Sequence, residues 1–236
     1  MIKTMKIWAI IPARSGSKRL HKKNTYKFNN KPLISWTIKS ALNSKYIDKV
    51  IVSTDDSYIA KIAKFYGAEV PFMRPKKLSN DKASSADVVL HALKKLKVNK
   101  NDLFILLQPT SPLRKTSHID DAIKIFEKNR FIENIVGVSK LDHPIEWSNE
   151  LPQNLSMKNF IPKTRKYKRS QDFSARYIIN GSIYILRIRS FLREKNFLLK
   201  NNSFGYVMKK NESIDIDNLE DLKLAEYFYK INNKIV

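Results

Sequence analysis

The chain has 236 residues, no cysteine, and 45 Lys+Arg against 22 Asp+Glu, for a formal net charge of +23. The missing thiols exclude disulfides, thiolate chemistry and Cys-ligated zinc, and no apolar run approaches the roughly 18 residues needed to span a bilayer, so no membrane partner is expected. The length suits one domain, 1–236, with a substantial core, and the short polar opening before Ile7 lacks the character of a signal peptide, which makes a cytoplasmic location the expectation.

The first strand is Ile7-Trp8-Ala9-Ile10-Ile11, closed by Pro12. It gives way to Ala13-Arg14-Ser15-Gly16-Ser17-Lys18-Arg19-Leu20-His21-Lys22-Lys23-Asn24, a small-residue turn crowded with cations. Gly16 and the two serines let backbone N–H groups turn toward a ligand, while Arg14, Lys18 and Lys23 supply charge-assisted donors for phosphate oxygens. The expected ligand is a nucleoside triphosphate. The turn matches neither the P-loop, which needs Gly-x-x-x-x-Gly-Lys-Ser/Thr, nor the Gly-x-Gly-x-x-Gly dinucleotide pattern.

Farther along, 31–43 reads as a helix with Pro32 in its opening turn. A second strand at 49–53 ends in Thr54-Asp55-Asp56, followed by a helix at 57–66 stopped at Gly67 and a short strand at 68–71. A helix at 85–96 leads to a strand at 103–107, which ends in Gln108-Pro109-Thr110-Ser111-Pro112. Then come a helix at 119–129 and a strand at 134–139. Strands alternating with helices point to βαβ units and a mostly parallel, doubly wound α/β sheet. In such a sheet the turns after strands, at Arg14, Thr54 and Gln108, are expected to meet beyond the carboxyl ends.

From 141 to 175 the rhythm breaks into a Pro-, Asn- and Lys-rich excursion with isolated Trp147, Leu151, Leu155 and Phe160, the composition of a functional or partner-completed segment. A strand resumes at 177–186 with a turn or bulge expected at Gly181, and further strands are expected at 206–209 and 213–217. The last carries Ser213-Ile214-Asp215-Ile216-Asp217 ahead of an amphipathic helix. Residues two apart in a strand share a face, so Asp215 and Asp217 would present two carboxylates opposite Ile214 and Ile216. Two hard oxygen ligands suit Mg²⁺ bridging to phosphates. The competing reading makes Asp217 or Asn218 the helix cap.

The charge excess raises a nucleic-acid binder as the rival from another class. The lysines, however, are scattered over nearly every helix (Lys39, Lys61, Lys94, Lys95, Lys124, Lys128), and the one dense run, 163–169, reads as a solvated loop. Nucleic acid is therefore not the expected partner.

Taken in order, Ile11-Pro12-Ala13-Arg14-Ser15-Gly16-Ser17-Lys18, Lys23-Asn24, Val52-Ser53-Thr54-Asp55, Arg74-Pro75, Gln108-Pro109-Thr110-Ser111-Pro112-Leu113-Arg114, Asn180-Gly181-Ser182-Ile183-Tyr184 and Ser213-Ile214-Asp215-Ile216-Asp217 resemble the acylneuraminate cytidylyltransferases over nearly the whole chain. The resemblance implies a Rossmann-like nucleotidyltransferase fold and transfer of CMP from CTP to the anomeric hydroxyl of a nine-carbon sugar acid, releasing pyrophosphate. It implies Arg14, Lys23 and Asp217 as catalytic groups, with Arg14, Ser17, Lys18 and Lys23 on the phosphates. Asn24, Arg74, Ala83 and Ser85 match the cytidine-contacting positions, Gln108 matches the sugar-acid contact, and Asp215 and Asp217 match the carboxylates that hold Mg²⁺. Catalysis would rest on in-line positioning and charge neutralisation, without a covalent intermediate. An alternative acceptor within the broader group is the eight-carbon acid KDO.

Two positions depart from the family pattern. Glu146 stands where members that use N-acetylneuraminate tend to carry lysine, two residues after a His-Pro pair, and Ile178 replaces an arginine two positions before Asn180. Arg176, Arg165 or Arg169 could restore the lost charge, which places Arg176 and Asn180 beside Gln108 as candidate sugar contacts. Arg169-Ser170-Gln171-Asp172 resembles the versions that act on legionaminic or pseudaminic acid. The family also implies a homodimer, with the 141–175 excursion reaching toward the other subunit.

Overall fold

In the computed structural model, which describes residues 5–161 and 169–233, β1 (Ile7–Pro12) lies inside a six-stranded sheet. Arg165 and the rest of the basic run up to residue 168 lie outside the described residues. A small antiparallel hairpin of β2 (Lys27–Phe28) and β3 (Lys31–Pro32) leads into α1 (Leu33–Leu42). Next come β4 (Lys49–Ser53), α2 (Ser57–Phe65), α3 (Ser85–Leu96), β5 (Leu103–Leu106) and α4 (Thr116–Lys128). The chain closes with β6 (Asn134–Lys140), β7 (Tyr177–Arg187), α5 (Ile188–Glu194), β8 (Ser203–Met208) and α6 (Leu219–Asn232).

The sheet order is β4-β1-β5-β7-β6-β8. The β1–β4, β1–β5 and β6–β8 pairs are parallel, and β7 runs antiparallel to both neighbours. The sheet is thus mostly parallel, as expected, with one reversed strand. Alternation along β1 explains the layers. Ile7, Ala9 and Ile11 pack in one apolar cluster with Ile34 and Ile38 of α1, Ile59 of α2 and Ile123 of α4. Ile10 faces the opposite way, toward Val89 and Leu93 of α3 and Phe191 of α5. Burying such side chains stabilises by about 1.5–3 kcal/mol each, which fixes β1 between two helical layers.

A third cluster decides where the site forms. Leu20 from the cationic turn and Phe28 from the hairpin pack with Ile216, Leu222 and Ala225. Leu20 is 4% exposed and Ile216 is fully buried, so apolar packing ties the turn to a segment almost 200 residues later.

Several element expectations are corrected. Lys31 and Pro32 pair as β3 rather than opening α1, because the hairpin takes up their backbone and leaves extended Pro32 as the cap. Residues 68–71 form no strand; only Glu69 bridges to Ile51. The helix expected from 119 starts at Thr116, its first turn being polar and invisible to apolar periodicity. The helix α5, directly continuous with β7, was not anticipated. Residues 213–217 form no strand and are held by a hydrogen bond from Ile216 N–H to Thr110 O at 2.8 Å. The irregularity expected at Gly181 is present: the β6–β7 register shifts between Val136 and Val138, and Gly181 takes φ +72°, which a residue without Cβ adopts freely. Among the described residues no helix is long and apolar enough to cross a membrane.

Candidate active site

The turns after β1 and β5 meet as the sheet topology requires. A cavity of about 270 Å³ at the carboxyl edge is lined by Arg14, Lys23, Asn24, Arg74, Ala83, Ser85 and Gln108, among others. An adjoining cleft of about 520 Å³ is lined by Gln108, Asn180 and Asp215, with Ile178, Ile179 and Leu224 on its apolar side. Gln108 belongs to both.

The cationic turn is anchored by Asp55 at the end of β4. Asp55 accepts from Ser15 N–H at 3.1 Å and from Ser15 Oγ at 2.8 Å, and its Oδ1 lies 3.5 Å from the Arg74 guanidinium. Burial acts to raise the Asp55 pKa, but the Ser15 hydrogen bonds and the Arg74 charge outweigh it and hold the carboxyl below its ordinary value. Arg74 is 5% exposed, and its Nε has no hydrogen-bond partner among the described residues. Desolvation lowers its pKa and the Asp55 charge opposes that shift. Asn24 donates to Arg14 O at 2.8 Å, so its amide also shapes the turn.

The paired aspartates arrive by a different route. Asn218 caps α6, accepting from Glu220 N–H and Asp221 N–H, and Asp221 reciprocates toward Asn218 N–H. This leaves the Asp217 carboxylate available: Lys23 Nζ lies 2.9 Å from its Oδ1 and Arg19 2.6 Å from its Oδ2. The Lys23 hydrogen bond holds Asp217 below the ordinary carboxylate range. Asp215 opens onto the cleft yet is surrounded by protein on its other sides. Burial pushes its pKa up, the Thr110 hydroxyl counteracts this, and the Asp217 charge adds to the rise. Ile216 packs inward, Asp215 faces the cleft beside Ile214, and Asp217 faces the cationic turn, so the two carboxylates have different neighbours and only Ile216 lies cleanly opposite them.

The remaining candidates divide. Ser84, not Ser85, caps α3, accepting from Asp87 N–H at 3.0 Å, which leaves Ser85 on the cavity wall. Lys18 reaches the rim through Asp81, and Ser17 is half-buried in the same turn without lining the cavity. Asn180 lines the cleft, but its amide donates to Ser139 Oγ at 3.0 Å and accepts from Ser182 N–H at 3.0 Å within the bulge. Arg176 is not brought to the cleft wall: it pairs with Glu146 at 2.7 Å, so the two departures from the family pattern do not leave it as a free cation there. Arg169 pairs with Asp172 at 3.4 Å.

Sequence reasoning missed Asp81, which sits 2.9 Å from Arg14 and 2.7 Å from Lys18. It also missed Arg114, 2% exposed, which donates to Gln108 O, Ser182 O and Thr37 Oγ1. Burial pulls the Arg114 pKa down to about 9, which leaves it a cation at neutral pH. No periodicity signals either residue. Asp81 lies in an irregular loop, and Arg114 follows a Pro-rich turn that looks exposed in sequence.

A mostly parallel sheet with a cation-rich turn beside paired carboxylates at its carboxyl edge defines a nucleotide-handling α/β protein of the nucleotidyltransferase kind. Residues 8–235 match the family model described as "Cytidylyltransferase", and the chain belongs to that family. It is 37% identical over 233 residues to the pseudaminic acid cytidylyltransferase of Campylobacter jejuni, covering 98% of this chain and 99% of that one. With the CMP-N,N'-diacetyllegionaminic acid synthase of Legionella pneumophila it shares 35% identity over 236 residues, 98% and 99% of the two chains. With the N-acylneuraminate cytidylyltransferase of Escherichia coli it shares 39% over 220 residues, 93% of this chain but 51% of that longer protein. The fold matches that of a CMP:2-keto-3-deoxy-manno-octonic acid synthetase complexed with CTP, with a TM-score of 0.69 at 18% identity over 96% of this chain and 99% of the other. The 4-diphosphocytidyl-2C-methyl-D-erythritol synthase of Anaerococcus prevotii gives 0.64 at 14% identity, with 96% and 99% covered.

Proposed function

We propose that this chain transfers CMP from CTP to the anomeric hydroxyl of a nonulosonic acid and releases pyrophosphate. The observation that carries this reading is the junction at Gln108: one cavity gathers Arg14, Lys23, Asn24, Arg74, Ala83 and Ser85, and the adjoining cleft carries Asn180 and Asp215. A triphosphate in the first and a sugar acid in the second would bring the attacking hydroxyl and the α-phosphorus together. Positioning of this kind removes a large share of a transfer barrier. Arg14 and Lys23 would meet the phosphates, and the buried Arg74, with its unsatisfied Nε, would take a carbonyl of the base.

The aspartates fit a divalent ion. Asp215 and Asp217 are close enough for each other's charge to be felt, and a Mg²⁺ that keeps several waters needs only one or two protein carboxylates. Asp215 and Asp217 would hold it, and bound there it would supply neutralisation of charge on the triphosphate and leaving pyrophosphate. Lys23, already on Asp217, would share that task.

For the acceptor we favour a deoxy, diacylamino acid of the legionaminic or pseudaminic type over N-acetylneuraminate. The cleft presents Ile178, Ile179 and Leu224, 54%, 43% and 47% exposed, a surface suited to methyl and acyl groups. We also propose a homodimer. Leu151 and Leu155 of the 141–175 excursion are 52% and 68% exposed, and Phe204 and Val207 on edge strand β8 are similarly open, a spread of apolar surface that a second copy would cover. A reaction that consumes CTP accords with a cytoplasmic location. The test is pyrophosphate release with each nucleoside triphosphate against a panel of sugar acids including KDO. Selective release with CTP and a nonulosonic acid supports the reading; release with KDO alone favours the eight-carbon acceptor, and none with any acid refutes it.

A further inference from the structure

Arg114 is a buried cation with no carboxylate partner among the described residues, an arrangement that costs stability unless hydrogen bonds return it. Its bonds go to three elements at once. One guanidinium nitrogen donates to Ser182 O at 2.7 Å and to Gln108 O at 3.2 Å, and the other donates to Thr37 Oγ1 of α1 at 2.7 Å. Thr37 Oγ1 in turn donates to Gln108 O at 3.3 Å.

The two carbonyl acceptors, Ser182 O and Gln108 O, sit where ordinary sheet pairing stops. The β5–β7 ladder ends at Leu106 opposite Tyr184, and the β6–β7 register resumes only at Ile179. Ser182 lies in that break, and Gln108 lies two residues past the end of β5. The side chain of Gln108 rests against the bulge: a Cβ added to Gly181 would come within 3.1 Å of its Oε1. A planar fork with five donors can span such a gap, whereas a lysine ammonium is a point charge on a flexible stem.

We propose that Arg114 is the positioning residue of the acceptor half of the site, fixing Gln108 against the β7 bulge so that its amide faces the sugar acid. This rests on the reading of Gln108 as a sugar-acid contact. Arg114 touches neither substrate; it acts through Gln108. It follows that its loss impairs handling of the acid far more than that of CTP, whose cavity Gln108 lines only at its edge with the cleft.

The experiment compares the full-length wild type with Arg114→Met, Arg114→Lys and Thr37→Val. CTP affinity is measured by calorimetry, and KM is measured for whichever nonulosonic acid the wild type uses. Both arginine variants should raise KM for the acid by about tenfold or more while the CTP Kd stays within about twofold. Lysine should rescue little, and Thr37→Val should shift KM in the same direction by less. Equal losses toward CTP and the acid, or an unchanged acid KM in any folded variant, would overturn the proposal. Should the arginine variants fail to fold, Thr37→Val decides it. A wild type that uses no nonulosonic acid but binds CTP would instead indict the reading of Gln108.

Discussion

Lys23 Nζ and Asp217 Oδ1 lie 2.9 Å apart although 194 positions separate them in the chain. The contact is set by apolar packing beneath it, since Leu20 and Ile216 share one buried cluster. Asp217 does not cap α6, because Asn218 performs that role. Asp217→Ala should therefore spare the helix cap and fold, with a melting temperature lowered by only a few degrees for the lost Lys23 and Arg19 pairs. Steady-state turnover should fall by about 100-fold or more, since the change would weaken the hold on the divalent ion proposed to neutralise charge on the leaving pyrophosphate. Near-wild-type kcat at ordinary Mg²⁺ would show that Asp217 does not serve the metal.

Asp81 holds Arg14 and Lys18, the cations assigned to phosphate, with its carboxylate at 2.9 and 2.7 Å. A triphosphate has to compete with that carboxylate. Asp81→Asn should tighten CTP binding by about two- to fivefold at low ionic strength, the scale of exposed ion pairs, with the difference shrinking as salt rises. Isothermal titration at two salt concentrations reads this directly, and weaker binding by the variant would mean that Asp81 orients the cations for the nucleotide.

Gly16 separates ligand approach from folding. A Cβ built there meets nothing within 4 Å, and its φ lies outside the left-handed region, so the fold itself does not demand glycine. Gly16→Ala should melt at or slightly above the wild-type temperature. Its CTP Kd should rise by about tenfold, because the methyl group obstructs the close approach of phosphate to backbone. Unchanged affinity would move the phosphates away from this turn.

Asp55 gives a pH dependence of stability. Its folded pKa is held below the ordinary value of 3.8 by the Ser15 hydrogen bonds and Arg74, against the burial that would raise it. A depressed carboxylate contributes stability that is present above the unfolded pKa and is lost as pH falls through the folded one. Melting temperatures of wild type and Asp55→Asn should therefore differ most at neutral pH and converge below about pH 4. A difference that persists undiminished at the acid end would contradict the linkage.

Much of the fold was legible because its signals are local. The apolar runs of β1 and β5 and the periodicity of α2 and α3 are written residue by residue. The Lys31–Pro32 pair was misread because proline at a helix start and proline in a two-residue ladder look alike until Lys27 and Phe28 are seen opposite. Within the site, Arg14, Lys23 and Asn24 announce themselves by crowding in one turn. Asp81 and Arg114 do not, since their roles arise from partners far away: Arg14 for the former, and Ser182 and Thr37 for the latter. Arg176 looked available by strand alternation, but Glu146, 30 residues earlier, takes its charge.

The most direct test is phosphorus NMR of the wild-type protein with CTP, Mg²⁺ and a legionaminic- or pseudaminic-type acid. The expected result is loss of the triphosphate resonances, the appearance of pyrophosphate, and one new phosphodiester signal from the CMP-glycoside, all abolished by chelating the metal. A triphosphate spectrum unchanged by every nonulosonic acid offered, with the protein folded and binding CTP, would contradict it.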